Sequence, residues 1–539
     1  MRGIVEGICL GNGYEAFLGI PYAAPPVKDL RWRQPQPVKS WDAIRAANQY
    51  GASCVQFPPP NNSIYYGGET SFSEDCLFLN VWTASSNEGN PTRSDGEMEM
   101  DSQAKRPVLV VLHFGAYQFG SSSNSVYNGE SMARKGLTVV SLNYRLGRLG
   151  FLAHPWLTAK SGTNSSGNYG LMDQIAALQW IQRNIVAFGG DPDNVTLMGV
   201  SAGAHSIHNL RVSPLAKGLF HKCIVASGPG FAHALDGLGH PANPSTLAAG
   251  EKAGVEVATL LNATSMDELR KMPADRIMAV QLPRAAGNWT FDLLPAGASI
   301  SLSVFDSGYP VVDGYVMPQA PLDAFLEMGN PNVIDVPILA SNTGNEASGL
   351  PYLARLSAYQ AYVTGAFGTL ANEVLHLYPA SNDAEARTSS WRLLADQVFV
   401  WSTLTAARLQ SRNLKSKAWY ARFLREPLIS PDADLIEREY AGAFHTADVM
   451  YALCNLQARP WNWTRGDEEL SRAMMDAWLS FAKTGDPNDG GKGNWPPVKS
   501  ADGLVKIWDL ESQVGKMDGD LQERMAFWDR WNGVANVGY

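Results

Sequence analysis

An α/β fold, with a mostly parallel central sheet covered by helices, is the architecture this chain of 539 residues predicts. Three observations carry that expectation. Strand-like apolar runs (Leu137–Leu142, Val195–Val200, Lys222–Ala226, Val336–Ala340 and Ala418–Phe423) alternate with runs of helical periodicity (Met172–Asn184 and Glu468–Ala482). Hydrophobic residues make up 45% of the chain, enough for a large buried core. One of the strand-like runs ends in Gly199-Val200-Ser201-Ala202-Gly203, and a small-residue helix start follows directly.

That pentapeptide has the Gly-x-Ser-x-Gly form of a sharp strand-to-helix turn that raises one serine hydroxyl clear of the sheet. Gly199 and Gly203 lack the Cβ atoms that such a turn would bring together. The helix after Ser201 starts with free N–H groups and a positive dipole end, which suit an oxyanion. The motif alone is common; the strand before it and the helix after it are what give it weight.

A serine used in this way needs a base, and in folds with this turn the chain order is Ser, then Asp or Glu, then His. Of nine histidines, His113 and His154 precede the turn, and His205 and His208 lie on the helix leaving it. His221, His233 and His240 follow soon after, so only His376 and His445 come late. His376 sits in a helical pattern, whereas His445 sits in the small-residue loop Ala441–Thr446 ahead of an apolar helix. Loops at a sheet edge are where a general base is held, so His445 is the candidate. For the acid, the run Val336–Ser341 reads as a buried strand and the following segment from Asn342 as a loop with one carboxylate, Glu346. Oxyanion donors are expected from the strand Arg106–Leu112 and its continuation His113-Phe114-Gly115-Ala116-Tyr117. There the amides of Gly115 and Ala116, with that of Ala202, form the candidate hole.

By these residues the sequence resembles the type-B carboxylesterases, a family that includes cholinesterases, liver-type carboxylesterases and large fungal lipases. The resemblance runs from Phe17-Leu-Gly-Ile-Pro-Tyr-Ala23 to Trp478-Leu-Ser-Phe-Ala-Lys-Thr-Gly-Asp-Pro487. Between them lie Ser73–Trp82, Asn143–Gly147, Gly167–Gln174 and the block Ala187–Thr196 that leads into the turn. It implies an α/β-hydrolase fold in one unit spanning 1–539, with large insertions around a gorge. It implies a serine esterase with the triad Ser201, Glu346 and His445, the oxyanion hole of Gly115, Ala116 and Ala202, and Ser227 as a supporting serine. It also pairs Cys54 with Cys76 as a disulfide closing the loop Val55–Asp75 over the mouth of the site. Four departures bear on substrate rather than reaction type. Val200 replaces the glutamate usual before the nucleophile, which argues against cationic choline esters. Phe114 replaces the first glycine of the oxyanion turn and adds bulk there, and Tyr117 flanks the same turn. Ala347 and Thr446 replace the glycines usual after the acid and the base.

A length of 539 residues alone suggests three or more domains, yet no linker or internal repeat divides the chain. The polar stretch from Ser85 to Lys105 reads as a surface loop between two strands. Net charge is −9 with no basic cluster, which excludes nucleic acid and an anionic membrane surface as expected partners. No apolar run reaches the roughly 18 residues of a membrane span. His205-x-x-His208 lacks further ligands and reads as helix packing rather than a metal site, and no phosphate loop is present. The expected cofactor is none, and the expected partner is a small-molecule ester. Cys9, Cys223 and Cys454 fall in apolar patterns and read as buried thiols. Six Asn-x-Ser/Thr tripeptides with x other than proline occur, at Asn61, Asn164, Asn194, Asn262, Asn288 and Asn462. The expected disulfide favours secretion while the start Met1-Arg-Gly-Ile shows no apolar leader, so compartment stays open, as does oligomeric state. Two alternatives to hydrolysis also stay open: acyl transfer or ring closure by the same triad, and a non-catalytic adhesion role of the kind some relatives have.

Overall fold

The computed structural model describes residues 3–85, 105–231, 245–280, 282, 307–347, 352–434, 440–488, 494–499 and 503–534. The centre of the polar stretch after Ser85, His233, His240 and the tripeptide at Asn288 lie outside them. Eleven strands form one sheet: β1 (Ile8–Gly11), β2 (Tyr14–Pro21), β3 (Phe78–Ala84), β4 (Arg106–Leu112), β5 (Thr138–Leu142), β6 (Gly190–Val200), β7 (Lys222–Ala226), β8 (Ile338–Thr343), β9 (Ala418–Phe423), β10 (Leu504–Trp508) and β11 (Gln513–Lys516). Their order across the sheet is β11-β10-β9-β8-β7-β6-β4-β5-β3-β2-β1. The run from β10 to β5 is parallel throughout. Both edges are antiparallel, with β11 on one side and β3, β2 and β1 on the other.

The parallel strands are buried on both faces, which is why they read as continuous Val/Ile/Leu runs. Along β4, Val108, Val110 and Leu112 enter one core while Leu109 and Val111 enter the other, the period of two that a strand imposes. The first core is covered by α1 (Tyr169–Asn184) and α2 (Ala202–Arg211), by α3 (Asp383–Ala395) and α4 (Trp401–Asn413), and by α7 (Gly519–Trp531). The second is covered by α5 (Ala447–Ala452) and α6 (Arg465–Thr484). Helix α6 starts where Thr464 and Asp467 cap each other reciprocally and ends at Gly485 in the left-handed region (φ 82°). No helix among the described residues is long and apolar enough to cross a membrane.

Three sequence expectations are corrected here. Strand β6 begins at Gly190 rather than Val195, because Gly190 already pairs with Arg106 and a register shift absorbs the polar residues between. Strand β8 runs from Ile338 to Thr343, so Asn342 and Thr343 belong to the ladder rather than to the loop after it. Cys9 is exposed: β1 is the outermost strand, and its alternation turns Cys9 outward. Cys223 is buried and Cys454 half-buried.

Cys54 and Cys76 form a disulfide with Cα atoms 5.0 Å apart across a separation of 22 residues. Closing a loop of this length removes unfolded-state entropy worth about 3 kcal/mol. The double variant Cys54→Ser, Cys76→Ser is therefore expected to lose about that much unfolding free energy in urea titrations. An unchanged denaturation midpoint would mean the loop is held by packing alone.

Candidate active site

Three neighbouring strands, β6, β7 and β8, deliver Ser201, Ser227 and Glu346 at their C-terminal ends, where ligands bind in open α/β sheets. Ser201 follows β6 and precedes α2. Its backbone has φ 56° and ψ −118°, a strained conformation for a residue with a side chain. The turn is held from both sides: the Ser201 amide donates to the Ala226 carbonyl (2.9 Å), and the Ser201 carbonyl accepts from His205 (2.8 Å). A Cβ on Gly199 would lie 2.3 Å from the Gly203 carbonyl carbon, and one on Gly203 would lie 2.1 Å from the Leu112 oxygen. Only glycine fits either position, so the helix is drawn tight against the strand.

Glu346 and His445 meet across two loops. His445 Nδ1 lies 2.5 Å from Glu346 Oε2. Glu346 Oε1 accepts from Ser227 Oγ (2.6 Å), Asn342 Nδ2 (2.9 Å) and the Thr343 amide (2.7 Å). Burial at 1% exposure pushes this carboxyl up, and the bonds from His445, Ser227 and Asn342 outweigh it, so it lies below the usual glutamate range. The two loops are stitched together by Asn345, whose amide donates to the Ala443 carbonyl (2.9 Å) and whose side chain donates to the Tyr440 and Ala441 carbonyls. Thr446, next to the histidine, is left-handed (φ 77°), a conformation glycine adopts without cost.

The turn after β4 carries the candidate oxyanion donors. The amides of Gly115 and Ala116 donate to no other described residue. Both residues have positive φ, and a Cβ on Gly115 would lie 1.9 Å from the Phe119 oxygen. Phe114 is buried, its amide donates to Tyr127 Oη (3.0 Å), and it shares a buried cluster with Val200 and Phe444. Tyr65, in the disulfide-closed loop, sets its ring edge-on to both Phe114 (6.2 Å) and Phe444 (6.3 Å). Tyr117 faces the other way. It is fully buried beneath the turn against Tyr144, Phe151 and Tyr309, and its hydroxyl accepts from Ser206 on α2.

His205 and His208 pack within the core, His205 against Tyr117 and His208 against Phe231. Among the described residues no group of three or more His, Cys, Asp or Glu side chains is placed to hold a metal. Ser201, Glu346, His445, Ser227 and the turn from Phe114 to Ala116 thus all belong to one end of the sheet. Reading the sequence missed Asn342, which donates to Glu346, Phe399, whose ring lies 4.4 Å from that of His445, and Asp448, which accepts from Ser341. Asn342 carried a usable signal, being a polar residue at the end of an apolar run; the other two carried none.

A family model described as the carboxylesterase family matches residues 1–528. The chain belongs to that family. It is 33% identical to a fumonisin B1 esterase of Sphingopyxis macrogoltabida, over 96% of this chain and 86% of that protein. It is 31% identical to a para-nitrobenzyl esterase of Bacillus subtilis, over 93% of each. A solved PNB esterase superposes with a TM-score of 0.75 at 28% identity, covering 97% of both chains. The fold is that of the α/β-hydrolase carboxylesterases, and the protein is a carboxylic-ester hydrolase.

Asp448 lies in the first turn of α5, wholly buried, and accepts from Ser341 Oγ (2.9 Å). Burial and the nearby charge of Glu346 raise its carboxyl to about 7, against the bond from Ser341. An unfolded aspartate titrates near 4. Between about pH 4 and about 7 the folded chain therefore holds a proton that the unfolded chain has released, and stability falls as pH rises through that window. Asp448→Asn removes this titration. In paired melts it is expected to be more stable than the parent at pH 8, by on the order of 3 kcal/mol, with the gap closing toward pH 5. A gap independent of pH would contradict the assignment.

Proposed function

We propose that Ser201, His445 and Glu346 work as nucleophile, general base and orienting acid in the hydrolysis of neutral carboxylic esters through an acyl-enzyme. The observation that carries this reading is the buried Glu346 carboxylate held 2.5 Å from His445 Nδ1. That bond leaves Nε2 as the nitrogen that takes and returns protons. Ser201 Oγ attacks the ester carbonyl while His445 takes its proton. The oxyanion is met by the amides of Gly115, Ala116 and Ala202. Collapse expels the alcohol, which receives the proton from His445, and leaves the acyl group on Ser201. Water then attacks with His445 again as base, and the acid departs as Ser201 regains its proton. Ser227 supports the cycle by donating to Glu346 and keeping it ionised.

The surroundings favour uncharged substrates of small to medium size. Val200 is buried and apolar beside the nucleophile, so no carboxylate at that position draws a cation. Phe114, Tyr65 and Phe444 form an aromatic wall next to the candidate hole. The mouth loop Val55–Asp75 carries no tryptophan whose broad face could receive a choline group.

Ser201→Ala and His445→Ala are each expected to lower turnover on p-nitrophenyl esters by about 10⁴-fold or more with the fold intact. Glu346→Gln, whose amide still reaches His445 but carries no charge, should fall less far. Full activity in Ser201→Ala would sink the nucleophile assignment. For substrate, kcat/KM should favour a neutral ester over a choline ester of matched size by roughly tenfold. Emulsified triolein should give no sharp rise in rate. A choline preference, or activation at the oil surface, would overturn the reading of Val200 and the mouth loop.

A further inference from the structure

Helices α3 and α4 are one continuous helix interrupted by a π-turn over Asp396–Val400, in which the Trp401 amide donates to the carbonyl of Asp396, five residues back. Such turns are single-residue insertions that cost regular hydrogen bonding and occur often at functional sites. Both flanks of this one are pinned. On the near side Asp396 accepts from Tyr378 Oη (3.0 Å) and from Arg524 Nε (2.5 Å) of α7. On the far side Ser402 Oγ accepts from the Phe231 amide (2.8 Å), and Thr403 Oγ1 accepts from the Gly228 amide (3.0 Å) and donates to the Gly228 carbonyl (3.2 Å). Gly228 adjoins Ser227, the serine that holds Glu346. The π-turn lies between these two sets of anchors, and it carries Phe399. The Phe399 ring lies 4.4 Å from the ring of His445, centre to centre, at an interplanar angle of 39°.

We propose that Phe399 is a positioning residue for His445, its ring face fixing the imidazole on Glu346 and steadying it while it carries the Ser201 proton. The idea rests on His445 being the base and extends that reading to what holds the ring. Glu346 holds one edge of the imidazole at Nδ1, and a bond at one edge limits rocking of the ring less than a neighbour packed on its face. A flat apolar neighbour against its face removes that motion and keeps water away. The electron-rich face of a phenyl ring also favours a cation over a neutral group, so it acts most strongly when His445 is protonated, as in the transition state. Aliphatic side chains of similar volume fill the space without offering that face.

The test compares Phe399→Leu, Phe399→Met and Phe399→Tyr with the parent and with His445→Ala, on p-nitrophenyl acetate, butyrate and hexanoate. The leucine and methionine variants are expected to lose roughly 3- to 30-fold in kcat on all three esters, with KM within about twofold. The tyrosine variant, which keeps the ring, should stay within about threefold of the parent. Thermal melts identify any variant that has lost its fold, and the remaining aliphatic variant then decides the matter. An unchanged kcat in the folded aliphatic variants would overturn the proposal. So would a change confined to KM and growing with acyl length, which marks a pocket wall, or a tyrosine variant as slow as leucine. Turnover surviving in His445→Ala would instead overturn the base assignment, whatever Phe399 does.

Discussion

A carboxylate at the centre of a protein must be surrounded by donors, since an unpaired buried charge costs several kcal/mol. Glu346 meets this requirement with four donors from three places: Ser227 after β7, Asn342 and the Thr343 amide in β8, and His445 from the loop before α5. Each donor fixes the path of the segment that carries it. The strand order β6-β7-β8 sets the turn at Ser201 beside Ser227 and Ser227 beside the loop of Glu346. Asn345 completes the arrangement by tying the acid loop to the base loop through backbone carbonyls. The geometry of the site is therefore a by-product of solvating one anion without water.

Backbone strain gathers in the same region. Ala116, Tyr117, Ser201, Ser227 and Thr446 all adopt positive φ although none is glycine. Such conformations cost of order 1–3 kcal/mol each and persist only where surrounding structure imposes them. Here the rigid ends of central parallel strands impose them. Thr446 holds φ 77° without glycine's freedom, so the loop that carries His445 is firmly held by its surroundings.

Much of this was readable in the sequence because it is encoded locally. The turn at Ser201 needs glycine at two fixed offsets, a strand before and a helix after, and all four are written in consecutive residues. Glu346 and His445 were found through chain order and their position in loops after apolar runs. The strand ends were less legible. The polar segment after Gly190 looks like a loop because its pairing with Arg106 depends on a distant strand and a register shift. Asn342 and Thr343 look like loop residues because polar side chains after an apolar run read as the end of a strand, while their pairing with β9 depends on distant residues. Phe399 was invisible for a deeper reason. Its place over His445 depends on a π-turn set by anchors from α7 and from the segment after β7, and nothing in its own neighbourhood differs from an ordinary buried helix. Cys9 misled in the opposite sense: an apolar run reads as interior unless the strand is known to lie at the edge.

The long reach of the contacts at the site also governs when it comes into being. Glu346 and His445 are 99 residues apart, Ser227 and Glu346 are 119 apart, and Thr403 stands 175 residues from Gly228. Contacts of such separation form late and slowly, because each closes a long stretch of unordered chain. On a ribosome the turn at Ser201 emerges well before Glu346 and His445. A nascent chain with β6 and α2 already built holds Ser201 with no base at hand, as unreactive as any surface serine. On the proposed reading, hydrolytic power is thus withheld from partly made molecules by topology alone, and it appears only once the last third of the chain has docked.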